Sequence, residues 1–115
     1  MRFMLMMQGS DDDWTLRPPE EIQPVMDAHE RFTDELRALG KYHGGEALRP
    51  APEARTIRLH GEDLLVTDGP FIETKEQIAG FYLIEADDID EAVSWGRKLA
   101  SFDGGPVEVR QVIDF

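Results

Sequence analysis

The chain has no cysteine, which excludes disulfides, thiolate metal sites and cysteine nucleophiles together. It is also short of positive charge: 12 lysines and arginines stand against 24 aspartates and glutamates, a formal net charge of −12. That field repels a phosphate backbone, and no basic cluster overrides it locally. Nucleic acid and anionic membrane are therefore not expected as direct partners. Long hydrophobic runs are missing too. The run Phe3–Met7 behind Arg2 stops at Gln8 and Gly9, too short for a secretory apolar segment and without a small-residue cleavage site after it. Nothing approaches transmembrane length, and the expectation is a soluble cytoplasmic protein. No two histidines share a chelating i, i+2 or i, i+4 spacing, and Asp11-Asp12-Asp13 lacks the downstream glycine and glutamate of a calcium loop. Neither a metal nor a cofactor is expected. Serine-nucleophile motifs and phosphate-binding glycine loops are absent.

What is present suffices for one domain over residues 1–115. A 41% hydrophobic fraction is ordinary for a globular chain, and this length allows one core with little surplus. Phe3–Met7 reads as a strand buried on both faces. Trp14 and Leu16 would pin the following loop onto the domain or onto a second subunit. Pro18-Pro19-Glu20-Glu21 opens a helix. Pro24 divides it into a short first turn and a main helix from about Gln23 to Leu39, capped by Gly40. Its apolar stripe is Ile22, Val25, Met26, Phe32, Leu36 and Leu39, with His29 near the middle. A strand broken by Gly44-Gly45 follows, then a hairpin of Thr56–His60 with Asp63–Thr67. Ala79–Glu85 is a second apolar strand. Asp88 and Glu91 form a capping-box start for a helix burying Ile89, Ala92, Val93 and Leu99, with Gly96 on the same stripe. Pro106–Val112 is the last strand.

The order β-α-β-(hairpin)-β-α-β is the split βαβ pattern of an α+β, ferredoxin-like fold with an added hairpin. Right-handed crossovers put both helices on one sheet face. The two apolar strands need cover on the other face as well. A second copy of the sheet is the economical cover, giving a homodimer through the sheet face, with Leu5 and Tyr82 expected there.

The most distinctive stretch is Val66-Thr67-Asp68-Gly69-Pro70-Phe71-Ile72-Glu73-Thr74-Lys75-Glu76, leading into Gly80-Phe81-Tyr82. Asp68 and Gly69 make a tight turn with positive φ at the glycine, and Pro70 stiffens it. Phe71 is then delivered in a fixed direction, as a hydrophobic plug or as part of a pocket. This run resembles the motif that names the DGPF, or YCII-related, family, and Gly44-Gly45-Glu46 and Gly105-Pro106-Val107-Glu108-Val109-Arg110 extend the resemblance over nearly the whole chain. The resemblance implies a dimeric α+β barrel. It further implies a histidine–aspartate pair proposed as catalytic, here His29 or His43 with Asp68, of which Asp68 lies in the matched motif. It also implies genetic association with extracytoplasmic-function sigma factors, making such a factor a possible protein partner.

His29 on an apolar stripe is either a core or interface histidine with both nitrogens satisfied, or a general base in a cleft. His43 beside two glycines is a surface histidine or a ligand contact, and His60 at the hairpin tip is inert. Asp68, Phe71, Lys75 and Tyr82 could line a small-molecule pocket; structurally, Asp68 caps the turn and Lys75 pairs with Glu73 or Glu76. Three functions are open: a proton-transfer enzyme on a small carbonyl metabolite using His29 and Asp68, a regulatory partner of a sigma factor, and a non-catalytic ligand-binding dimer. The enzyme requires a closed pocket where His29 and Asp68 meet. The partner module requires an exposed patch, expected around Trp14 and Trp95.

Overall fold

Strand β1 (Arg2–Gly9) lies inside a four-stranded sheet, and the apolar run Phe3–Met7 is why. The computed structural model describes residues 1–72 and 76–115. After β1 come α1 (Pro19–Ala38), β2 (Tyr42–Ala47), the hairpin β3 (Arg55–His60) and β4 (Asp63–Asp68), then β5 (Gln77–Glu85), α2 (Ile89–Asp103) and β6 (Val107–Gln111). The sheet order is β2-β5-β1-β6 with every neighbouring pair antiparallel, and β3–β4 form a sheet of their own. This is the ferredoxin-like α+β arrangement with an added hairpin.

Both helices cover one face. The core joins Phe3, Leu5 and Met7 of β1 and Tyr82 and Ile84 of β5 to Phe32 and Leu36 of α1 and Trp95 and Leu99 of α2. Leu5 and Tyr82 therefore face the helices, not the open side where sequence reasoning put them. The bulge between Met7 and Gln8 lies beyond Leu5 and leaves the earlier alternation intact. Period-2 alternation puts Met4 beside Leu83 and Met6 beside Phe81 on the other face. Among the described residues no helix lies over that face.

Two expectations about the helices change. Pro24 does not divide α1, which runs unbroken from Pro19. The missing N–H falls in the second turn, where Glu20 and Pro24 are both exposed and water can satisfy the freed carbonyl. The N-terminal half of the stripe is not core: Val25 and Met26 are exposed, and only Phe32 and Leu36 are buried. In α2, Trp95 takes the core position expected for Val93 and Ile89, and its indole N–H donates to Glu91 Oε2 at 3.0 Å. Asp88 caps the helix by accepting from Glu91 N. Gly96 allows the expected close approach, since a Cβ there would lie 3.0 Å from Val109 Cγ2. α1 ends as foreseen at Gly40, with Lys41 N donating to Leu36 O.

Candidate functional site

Two places gather the residues singled out above, and they are built from different elements. The first lies between the helices and β5. His29 projects from α1 with its side chain about one-fifth exposed. Its Nε2 is 3.1 Å from Asp103 Oδ1 at the end of α2, and its Nδ1 is 2.6 Å from the Tyr82 hydroxyl. A carboxylate only accepts, so Nε2–H donates to Asp103, and on a neutral ring Nδ1 accepts from Tyr82. Burial pushes the Tyr82 phenol above its ordinary value, although a bond from Thr33 opposes the shift. The phenol therefore keeps the proton it donates. The His29 ring stacks nearly parallel to Tyr82 and meets the edge of Phe102 at 5.0 Å between centroids. The result is a directed chain, Tyr82 to His29 to Asp103, with both imidazole nitrogens in use.

Asp68 is elsewhere. It ends β4, strongly exposed, with Oδ1 3.1 Å from Arg55 Nε across the hairpin. Within one chain, and among the described residues, His29 and Asp68 share no hydrogen bond. The motif turn takes the expected shape: Gly69 has φ +93°. Its N–H donates to Ala54 O and its carbonyl accepts from Thr56 Oγ1, both at 2.8 Å. Phe71 is not a plug. It is exposed, with the Arg58 guanidinium 4.7 Å above its ring and Arg58 Nη2 donating to its carbonyl at 3.0 Å.

Pro70, Phe71 and Ile72 instead line an open cleft of about 660 Å³, shared with Leu48, the Pro50–Ala54 turn and Ile78. The lining is mostly apolar. Arg49 on its rim is already held by Asp13 and Glu53, each at 2.8 Å, so its charge is largely neutralised before any ligand arrives. That salt bridge is also where the acidic triplet finds one of its uses, since Asp13 caps the short turn at Trp14–Leu16 as well. Gln77 adds an amide to the lining and donates to Ile72 O at 2.7 Å. Lys75, the remaining charged candidate of the motif, lies outside the described residues, as does Glu73.

His43 is exposed on β2, 3.3 Å from Glu85 Oε1, while Glu85 Oε2 binds the N-terminal ammonium at 2.6 Å. The adjoining Gly45 serves strand pairing rather than ligand approach: a Cβ there would lie 2.8 Å from Phe81 O. The exposed aromatic patch expected at Trp14 and Trp95 does not form, because Trp95 is core.

Asp103 was missed in the sequence because Asp103-Gly104-Gly105 reads as turn punctuation. The only signal for it was His29 itself, a polar ring on an apolar stripe that needs partners. The cleft wall at Leu48–Ala54 carries no motif that announces it.

A ferredoxin-like body with a projecting hairpin and a stiff Asp-Gly-Pro-Phe turn defines a class of small α+β proteins. Within it, the YCII-related domain matches residues 1–115, and the chain belongs to that family. It is also 36% identical over 99 residues to an uncharacterized protein of Rhizobium meliloti (strain 1021), covering 84% of this chain and 77% of that protein. Among the described residues, no helix is long and apolar enough to cross a membrane.

Proposed function

We propose that this protein is a homodimer, paired through the free face of its four-stranded sheet, that binds a small, largely apolar organic molecule in the cleft beside the Asp68–Phe71 turn. The observation that carries this reading is where the motif goes. Its stiff turn presents Pro70, Phe71 and Ile72 to a shallow, open apolar cleft instead of filling the core, and apolar surface with a few polar groups is what small ligands use. Met4, Met6, Phe81 and Leu83 on the face without helices support the pairing.

A second reading is favoured by the Tyr82–His29–Asp103 chain. In it the protein is a proton-transfer enzyme in which substrate displaces the Tyr82 hydroxyl from His29 Nδ1, so that this nitrogen acts as base while Asp103 on Nε2 orients the ring. Asp68 then belongs to the ligand cleft and not to the base.

A thermal-shift screen of the purified protein against small carboxylic, carbonyl and aromatic compounds tests both. A ligand at a hundred times its dissociation constant adds about 2.7 kcal/mol and moves the midpoint by several degrees. Hits abolished by Phe71→Ala support the cleft; hits abolished only by His29→Ala support the proton-transfer reading. A screen with no hit contradicts both.

A further inference from the structure

Among the described residues the cleft lining holds one cation, Arg49, and that cation is already engaged. Every nitrogen of its guanidinium donates within the chain. Nε reaches Glu53 Oε1 and Nη1 reaches Thr15 Oγ1, each at 3.3 Å, while Nη2 reaches Asp13 Oδ2 and Glu53 Oε2, each at 2.8 Å. Asp13 is fixed in turn, since its Oδ1 accepts from Thr15 N at 3.0 Å and from Thr15 Oγ1. With two carboxylates on one guanidinium the rim carries net negative charge, on a chain whose net charge is −12. The backbone adds little for an anion. Pro50 and Pro70 have no N–H to give, and those of Leu48, Glu53 and Ala54 donate to Ala79 O, Pro50 O and Ala51 O at 2.8, 2.9 and 2.9 Å. Arg58 stacks on Phe71 but is not part of the lining. The remaining polar side chain there is the uncharged amide of Gln77.

We propose that Asp13 and Glu53 are specificity-determining residues of the cleft: they hold Arg49 so that the cleft takes an uncharged molecule in preference to the acid of the same shape. The favoured class is an amide, alcohol or carbonyl compound with an apolar body. This rests on the cleft reading above and names its ligand class. A carboxylate entering beside Arg49 has to displace Asp13 or Glu53 and then stand next to the group it displaced. One charged bond replaces another, so nothing is gained at the guanidinium, and the like charges repel. An uncharged dipole meets neither cost. It leaves the salt bridges in place and binds the apolar walls and the Gln77 amide. Apolar burial is the same for acid and amide, so charge decides between them. Arg49 and Glu53 are 57% and 53% exposed, so water screens the repulsion and the preference is expected to be about fivefold, not a hundredfold.

Titration of the 15N-labelled full chain with phenylacetamide and with phenylacetate, at matched ionic strength, tests the selection. Phenylacetamide is expected to shift the amides of Leu48, Ala54 and Ile72, and phenylacetate to bind about fivefold more weakly. Asp13→Asn/Glu53→Gln keeps both side-chain shapes and releases Arg49, and is expected to bind phenylacetate at least as well as phenylacetamide. Asparagine still caps the Trp14–Leu16 turn. Glu53→Gln alone, at an exposed position, moves the ratio in the same direction if the pair perturbs folding. Wild type that binds phenylacetate as tightly as phenylacetamide overturns the inference and leaves the cleft standing. So does a ratio unchanged in both variants. Shifts confined to the surroundings of His29 and Asp103, or no binding of either probe, overturn the cleft reading and the inference together.

Discussion

His29 Nε2 and Asp103 Oδ1 lie 3.1 Å apart and join the middle of α1 to the last residue of α2. With Tyr82 on the other nitrogen, the imidazole ties both helices to the sheet. Truncation at His29 leaves a buried phenol without its acceptor, and that asymmetry sets the size of the effect. His29→Ala is expected to lower unfolding free energy in urea by about 1–3 kcal/mol, and Tyr82→Phe by about 0.5–1.5 kcal/mol. Stability unchanged in both would contradict the clamp.

Acid should weaken the fold in a definite window. Lys41, the Asp87 N–H and the Trp95 indole together hold the Glu91 carboxyl at about 2, against an ordinary 4.5. The folded value is the lower one, so the unfolded chain takes up the proton first. The stabilisation is complete above about pH 5 and is lost as pH falls toward 2. Thr15 acts on Asp13, the N-terminal ammonium on Glu85 and Arg2 on Asp114 in the same direction. Urea midpoints at pH 7 and pH 3.5 measure the loss. Glu91→Gln is expected to be less stable at pH 7 and to fall less steeply between the two, and an equal fall would contradict this assignment.

Gly69 sits at φ +93° with nothing near its missing side chain. Gly69→Ala is therefore a backbone test, free of steric crowding, and is expected to cost about 1 kcal/mol or more. A neutral result would mean that the turn relaxes to another conformation.

The two sheet faces are expected to respond differently to charge. Leu5 is fully buried under the helices, so Leu5→Asp is expected to yield unfolded protein by circular dichroism. Leu83→Asp, on the free face, is expected to stay folded and to run as a monomer in sedimentation. A folded Leu5→Asp protein would invalidate the assignment of faces.

The sequence disclosed the fold through signals that act locally: the Phe3–Met7 run, the Asp88 cap, the Gly40 stop and the positive φ at Gly69. It did not disclose which face of β1 and β5 the helices would take, because both alternating sets, Phe3-Leu5-Met7 and Met4-Met6, are apolar. Hydrophobic periodicity cannot choose between two apolar faces. The site was half legible. His29 stood out as a polar ring on an apolar stripe, but its partners are 53 and 74 residues away, and no local spacing announces them. Phe71 was read correctly as held in a stiff turn, whereas its exposure depends on a hairpin that stands off the body.

The central claim is that the motif turn builds a ligand cleft separate from His29. Calorimetric titration of a ligand from the thermal-shift screen into wild type, Ala54→Phe and His29→Ala tests it most directly. Ala54 lines the cleft, so the larger ring should fill it and weaken binding by about tenfold or more, while His29→Ala binds as the wild type does. Binding retained by Ala54→Phe and lost in His29→Ala would contradict the account and move the site to the Tyr82–His29–Asp103 chain.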